Sequence, residues 1–260
     1  HTQLKPDATK DELVKICEEA ARHGFWSVCV NPAYVSFCKK LLEGTKVLVT
    51  IDCGTNDVEE VELAVARGMD VIVLDHHEPA SAPASAPEGA SAGQARCRVA
   101  PAHAIVNPKL PGSTYGFTGI CSAGISFKTA WALGERMQAK ARPGFEGFIL
   151  DAMGLAAMGT VADVCPLLGE NRVIVKLGLK VMKATRWPGL AALIHAAGLG
   201  GKTIRAAQVA FTLGPRINAV GRVGDANDGL RLLLSDDVTE AGTLAAQLER
   251  QNAERQALDQ

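Results

Sequence analysis

The first half of the chain alternates short apolar runs with segments of helical periodicity. The runs at Phe25–Val30, Val47–Ile51, Asp70–Leu74 and Ala104–Val106 have the length of strands and predict buried strands. Between the first three runs, apolar residues recur at helical spacing, and a glycine follows the last apolar position of each segment. Strands that are separated by helices predict right-handed βαβ connections, so we expect an α/β fold with a parallel β-sheet flanked by helices.

The second half of the chain has the periodicity of helices throughout. Its final segment, Val238–Gln260, carries leucines among many charged residues and has no sequence signal for a helix end. We therefore expect this segment to be the start of a long connecting helix that the chain does not complete. The other predicted helices cover Ser122–Lys140, Gly147–Met158, Asn171–Ala184, Leu190–Ala197, Ile204–Leu213 and Ala226–Leu234.

A stretch of low complexity interrupts the α/β pattern. Fourteen of the sixteen residues in 79–94 are Pro, Ala, Ser or Gly, which predicts a flexible insertion over 79–101. No apolar run reaches about 18 residues, so no membrane span is expected. The seven cysteines form no Cys-x-x-Cys pair, so we expect reduced thiols in a cytoplasmic protein rather than disulfides or a zinc site.

The net charge of −1 conceals two segments of opposite charge. Residues 47–78 hold eight acids and one base, whereas residues 171–222 hold nine bases and no Asp or Glu. An acidic stretch can gather divalent cations, and a basic stretch can hold phosphates. Two solvent-exposed helix faces without a ligand would carry the same charges. Composition alone therefore leaves open whether the two segments bind ligands or are only solvated.

Polar side chains follow two of the predicted strands. Asp52 comes directly after the second strand, and Asp75, His76 and His77 come directly after the third. If these strands are neighbours, the four side chains share the crevice at the carboxyl ends of the strands, where open α/β sheets bind ligands. Carboxylate and imidazole groups without thiolates suit Mn²⁺ or Mg²⁺ better than structural zinc. The sequence therefore predicts a divalent-metal site at this edge of the sheet.

Two further clusters carry candidate chemistry. Asp163, in Gly-Thr-Val-Ala-Asp-Val, has small and apolar neighbours, where a metal partner would offset the cost of the carboxylate, and a helix N-cap is the alternative. Arg216, Asn218 and Arg222 fall in a predicted glycine-rich turn of the basic segment. Because arginine forks match phosphate oxygens, this turn is a candidate phosphate site, and scattered surface arginines are the alternative.

At these motifs the chain resembles the RecJ-type single-strand-specific exonucleases of the DHH phosphoesterase family. The resemblance begins at about Val47 and continues to the end of the chain through six motifs in order. These are Val-Thr-Ile-Asp52-Cys-Gly, Val-Ile-Val-Leu-Asp75-His-His, Ala-Ile-Val-Asn-Pro-Lys109, Gly-Thr-Val-Ala-Asp163-Val, Gly-Glu-Asn-Arg172 and Pro-Arg216-Ile-Asn-Ala-Val-Gly-Arg222.

The resemblance implies hydrolysis of single-stranded DNA from its 5′ end with two Mn²⁺ or Mg²⁺ ions. It implies a site of Asp52, Asp75, His76, His77 and Asp163, in which all but Asp75 are the expected metal ligands. It also implies roles in DNA repair and recombination, where other proteins of those processes are potential partners. Two alternatives stay open: a phosphoesterase acting on short oligonucleotides or cyclic dinucleotides, and a non-catalytic nucleic-acid-binding module.

Residues 1–46 resemble a different family, the deoxyribose-phosphate aldolases. The matching stretches are His-Thr-Gln-Leu-Lys-Pro-Asp-Ala-Thr, Cys17-Glu-Glu-Ala and Val-Cys-Val-Asn-Pro-Ala-Tyr. The catalytic lysine motifs of those aldolases are not present, so we expect packing and no aldolase chemistry from this segment. We therefore expect three parts: an aldolase-like fragment over 1–46, a DHH domain over 47–236 and a connecting helix over 237–260.

Two departures from the exonuclease pattern predict impaired activity. The family carries a D-x-D strand end several dozen residues before the position of Asp52. Residues 1–46 hold only Asp7 and Asp11 and no D-x-D. The family also has a small domain with a Gly-Gly-His motif after the connecting helix, which we expect to be missing from this chain.

Overall fold

The computed structural model describes residues 2–3, 11, 14–15, 18, 29–30, 46–80, 98–223 and 226–258. The chain forms two compact units, His1–Ile125 and Ser126–Gln260. The first unit holds the strands β1 (Thr2–Gln3), β2 (Cys29–Val30), β3 (Val47–Ile51), β4 (Asp70–Leu74) and β5 (Ala104–Val106), with α1 (Val58–Ala66) between β3 and β4. The longer helices that follow are α2 (Ser122–Arg136), α3 (Phe145–Ala162), α4 (Gly169–Met182), α5 (Pro188–Ala196), α6 (Gly214–Val223), α7 (Ala226–Leu234) and α8 (Val238–Leu258).

The first unit is built on a three-stranded parallel sheet with the order β3-β4-β5. The pairing of β3 with β4 runs from Val47–Asp70 to Ile51–Leu74, so the two five-residue strands end level. In the central strand, Val71 and Val73 are fully buried on one face of the sheet, and Leu74 on the opposite face is only 4% exposed, as expected where both faces of a parallel sheet are covered. Separately, β1 pairs with β2 in a parallel two-stranded ladder.

The second unit is helical, and its core includes the contact between α3 and α4. A Cβ added at Gly178 of α4 would lie 2.4 Å from the Cβ of Ala157 and 2.6 Å from the carbonyl oxygen of Met153. Only a glycine lets the two backbones approach this closely. By length and composition α3 could cross a membrane, and half of it is buried inside the protein.

The structure confirms the parallel sheet and the α/β class, and it places the three predicted strands that it describes fully at their predicted bounds. The predicted glycine-rich turn after Leu213 is wrong, because these residues form α6. The predicted single helix Ile204–Leu213 is a short helix, Ala206–Gln208, followed by a π-helical turn, Val209–Leu213. Most of the low-complexity insertion and of the aldolase-like segment lies outside the described residues.

Candidate metal centre

Asp52 lies where β3 ends, in a turn that only a few residue types can adopt. Its N–H donates to the carbonyl oxygen of Leu74 at 2.9 Å, which extends the β3–β4 ladder by one residue. Its φ of 67° is in the left-handed region, which aspartate tolerates better than most non-glycine residues. The turn closes through Thr50, whose Oγ1 donates to the carbonyl of Cys53 at 3.0 Å.

Gly54 completes this turn and has to be a glycine. Its φ is +111°, and an added Cβ would lie 2.5 Å from the Oγ1 of Thr50 and 3.0 Å from a methyl group of Val73. The N–H of Gly54 donates to the Oδ2 of Asp57 at 2.8 Å. The Asp-Cys-Gly sequence is therefore a tight turn packed against the sheet, and it presents the Asp52 carboxylate at the strand end.

Asp75 occupies the equivalent position after β4 and is only 1% exposed. Its N–H donates to the carbonyl of Val106 at 3.0 Å, and its Oδ2 accepts the N–H of Thr55 at 3.1 Å. Burial alone would raise the pKa of this carboxyl, but hydrogen bonds from Thr55, His77 and the following backbone prevail and lower it to about 2. Asp75 is therefore an ionised carboxylate at neutral pH.

The ionised Asp75 fixes the protonation of the His77 ring. The Nδ1 of His77 lies 2.7 Å from the Oδ1 of Asp75, and an ionised carboxylate can only accept. The Nδ1 therefore carries the hydrogen, which leaves the lone pair of the neutral ring on Nε2. Metal-binding histidines in proteins commonly donate their other ring N–H to a carboxylate in this way.

His76 and His77 approach Asp52 across the strand ends. The Nε2 of His76 lies 3.2 Å from the Oδ1 of Asp52. Among the residues that the structure describes, the three side chains each offer a ligand atom within 4.8 Å of the other two. One carboxylate and two imidazoles without thiolate, beside a buried anion, form a donor set that fits Mn²⁺ or Mg²⁺.

Asp163 belongs to the second unit, at the carboxyl end of α3. It is the C-cap residue of that helix, so the alternative of a helix N-cap is wrong, and its backbone N–H donates to the carbonyl of Gly159 at 2.9 Å. Its exposed carboxylate accepts from the Sγ of Cys165 at 3.3 Å. The next residue, Val164, has a φ of 55°, a strained conformation for a β-branched residue.

The three predicted phosphate-binding residues all lie on α6. The guanidinium of Arg216 forms an ion pair with Glu249 of α8 and also donates to the carbonyl of Thr212 at 2.7 Å. Asn218 is exposed, and the side chain of Arg222 lies outside the described residues. A glycine next to a proline suggested a turn here, but a proline is compatible with the first turn of a helix.

Sequence reasoning missed two groups of polar residues. The first is Thr55 and Asn107, which lie next to Asp75 and His77; Asn107 falls in the motif Ala-Ile-Val-Asn-Pro-Lys109, but no role was predicted for either residue. The second is the arrangement of part of the basic segment: its cations on and just after α4 form an exposed row, spaced mostly four residues apart so that they share one face. This row, the α4 cation row, comprises Arg172, Lys176, Lys180 and Lys183, and among the described residues none of the four has an ion-pair partner.

Comparison with known proteins points to one family over most of the chain. The model of the DHH family, N-terminal domain, matches residues 6–160. The single-stranded-DNA-specific exonuclease RecJ of Thermus thermophilus is 39% identical over 220 residues, which cover 84% of this chain and 28% of that protein. The crystal structure of RecJ from the same organism in complex with Mn²⁺ has a TM-score of 0.69 at 34% identity, over 99% of this chain and 35% of that one.

A second similarity covers a short segment only. Deoxyribose-phosphate aldolase 1 of Oceanobacillus iheyensis is 61% identical over 49 residues, which are 19% of this chain and 22% of the aldolase. This finding confirms the predicted aldolase resemblance. The matched parts thus cover about a third or less of the length of the exonuclease and of the aldolase.

Proposed function

This chain belongs to the DHH family, and from that premise we propose that it is a metal-dependent phosphodiesterase that degrades single-stranded DNA from the 5′ end. The observation that carries the proposal is the grouping of Asp52, His76 and His77 at the ends of adjacent parallel strands. The relatives named RecJ, and their crystal structures with Mn²⁺ and Mg²⁺, support it.

The chain's own residues would prepare the site as follows. Asp52 and the ring nitrogens of His76 and His77 would hold the cation, together with Asp163 as a proposed further ligand. Asp75 keeps the His77 ring oriented and its Nδ1 protonated. A bound divalent cation supplies charge neutralisation for the phosphodiester and lowers the pKa of water.

We assign the phosphate-backbone contacts to the basic segment, and first to the α4 cation row. Arg172, Lys176 and Lys180 follow one another at intervals of four residues, or about 6 Å along a helix. Each cation that neutralises a phosphate adds about 0.7 to the slope of log affinity against log salt for a single strand. Arg216, Asn218 and Arg222 remain proposed contacts.

The decisive assay offers the protein a 5′-phosphorylated DNA single strand and a dinucleotide, each with Mn²⁺ and with chelator. We expect slow Mn²⁺-dependent release of nucleotides from the single strand, because residues 1–46 hold no D-x-D, and we expect this residual release to be abolished in His77→Ala and Asp163→Ala. Faster hydrolysis of the dinucleotide would favour the oligonucleotide phosphoesterase instead. Salt-sensitive binding without hydrolysis of either substrate would favour the non-catalytic binding module.

Binding is tested separately by fluorescence anisotropy. The variant Lys176→Gln/Lys180→Gln should weaken single-strand binding and reduce the salt slope by about 1.4. The matched control Lys46→Gln/Lys140→Gln removes two exposed lysines outside the basic segment and should leave both quantities nearly unchanged. Equal losses in the two double variants would show that the α4 cation row makes no specific contact.

We further propose a cytoplasmic location and partners among proteins of DNA repair and recombination. The relatives are named as single-stranded-DNA-specific exonucleases, and an enzyme of that kind has to reach cellular DNA. Fractionation of cells that express the tagged chain should recover it in the cytosolic fraction. Cross-linking during DNA damage should recover repair proteins above the level of an untagged control.

A further inference from the structure

Asn107 lies directly after β5, at the strand end next to Asp75, and is 5% exposed. Its Nδ2 donates to the Oγ1 of Thr55 at 3.0 Å and to the carbonyl oxygen of His77 at 2.9 Å. Its Oδ1 accepts the N–H of Lys109 at 2.9 Å. Both donor hydrogens of the amide are therefore used within the site, and the acceptor keeps the side chain in one orientation.

Thr55 relays the orientation of Asn107 to Asp75. Its side chain is fully buried, and its Oγ1 accepts from Asn107, so the hydroxyl hydrogen points elsewhere. That hydroxyl and the Thr55 N–H both bond to the carboxylate of Asp75. The opposite oxygen of the same carboxylate, Oδ1, meets the Nδ1 of His77.

Two groups of His77, its backbone carbonyl and its ring, are thus connected by hydrogen bonds to the side-chain amide of Asn107. Its carbonyl accepts directly from Asn107, and its ring is fixed through Thr55 and Asp75. We propose that Asn107 is a positioning residue that sets the orientation of the His77 ring toward a bound divalent cation. The proposal rests on the metal site of the proposed function and names a residue that controls it.

The chemistry requires an amide at position 107. An Asp there has nearly the same shape but donates to neither Thr55 nor the His77 carbonyl. It would place a buried carboxylate against two oxygens, which is unfavourable without new donors. Loss of the groups that orient a metal-binding histidine typically weakens metal affinity by 10- to 100-fold.

The first experiment measures Mn²⁺ affinity by titration calorimetry on the full chain. Asn107→Asp should weaken binding at least tenfold, whereas the control Asn252→Asp should bind within twofold of the wild type. Asn252 is also a buried asparagine, 2% exposed, but it lies on α8 in the second unit. Unchanged affinity in Asn107→Asp, or equal weakening in the two variants, would overturn the proposal.

The second experiment uses a smaller change and also covers the case in which Asn107→Asp does not fold. Thr55→Val removes the relaying hydroxyl at constant volume, whereas Thr55→Ser keeps it. We expect at least tenfold weaker Mn²⁺ binding in the valine variant and recovery to within threefold in the serine variant. Equal affinities of the two variants would contradict the relay.

A third readout needs neither metal nor activity. In the metal-free protein, ¹⁵N NMR of the imidazole should show the Nδ1-protonated tautomer of His77 in the wild type and in Thr55→Ser. Asn107→Asp and Thr55→Val should show a larger fraction of the Nε2-protonated tautomer. The same tautomer fraction in all four proteins would overturn the positioning role.

These experiments separate the two claims. If the wild type does not bind Mn²⁺, the proposed function fails, and the tautomer measurement still decides whether Asn107 orients His77. If the wild type binds Mn²⁺ and Asn107→Asp binds it equally well, the metal site stands and the positioning role is wrong.

Discussion

The buried carboxylate of Asp75 couples the stability of the first unit to pH. Its pKa of about 2 in the folded protein lies below the value of about 3.9 for an unfolded chain. A depressed pKa gives stability that is present above about pH 4 and is lost as the pH falls toward 2. Acid should therefore remove a stabilising contribution that neutral solution retains.

This coupling can be measured by urea unfolding of the metal-free protein at several pH values. Asp75→Asn should lower the free energy of unfolding at pH 7 by about 2 kcal/mol, and the difference should shrink between pH 4 and pH 2. The control Asp70→Asn changes an exposed carboxylate at the other end of β4, 3.6 Å from the exposed His103, and should lower the free energy of unfolding at pH 7 by less than about 1 kcal/mol. A constant difference for Asp75→Asn at all pH values would contradict the prediction.

Some residues of the candidate site could be predicted from the sequence, and others could not. Asp52, Asp75, His76 and His77 were predictable because parallel strands put the residues that follow them at one edge of a sheet. Thr55 and Asn107 were not, because their role depends on which partners two loops bring within 3 Å. Whether these residues bind metal stays a prediction until it is measured.

Among the helices, α6 shows why local sequence rules failed. Gly214 and Pro215 are residue types that are typical of a turn. Gly214, however, packs against the preceding π-helical turn: a Cβ built on it would lie 3.1 Å from the carbonyl oxygen of Val209. The helix is then held by Arg216, which pairs with Glu249 of α8. Packing and an ion pair between distant segments override the local preference of these residues.

The ion pair of Arg216 separates a structural role from DNA binding. Arg216→Ala should lower the free energy of unfolding by about 1–2 kcal/mol, because the pair is partly buried. Glu249→Gln should cost a similar amount while leaving the arginine in place. If Arg216 also contacts phosphate, only Arg216→Ala will weaken single-strand binding in anisotropy assays. Equal DNA affinity in the two variants would limit Arg216 to its structural role.

At the scale of the whole molecule, the first 46 residues carry two resemblances. The family model begins to match at residue 6, although the segment also resembles an aldolase and contains no D-x-D. The switch from an aldolase-like to an exonuclease-like sequence near residue 46 could be predicted because each motif consists of only a few consecutive residues. The division of the chain at 46 and 236 stays a prediction, while the structure forms two units with the residue ranges His1–Ile125 and Ser126–Gln260.

Because residues 1–46 contain no D-x-D, we predict that replacing this segment changes the rate of DNA cleavage. Replacing residues 1–46 with a strand and helix that carry a D-x-D should raise Mn²⁺-dependent cleavage of single-stranded DNA roughly a hundredfold, because added carboxylates complete the cation site. The same exchange with N-x-N in place of D-x-D is the control, and it should give no increase. Cleavage rates that match between the two exchanged proteins would refute the idea.

The level ends of β3 and β4 have a consequence for how this protein can vary in length. The two strands form five residue pairs, from Val47 with Asp70 to Ile51 with Leu74. Deleting one residue from either strand would move the side chains beyond it by about 3.3 Å and turn them to the opposite face. Natural selection should therefore remove insertions and deletions inside these two strands, whichever residue is added or lost. Point substitutions at the exposed Val47 or Ile51 keep the register and should persist.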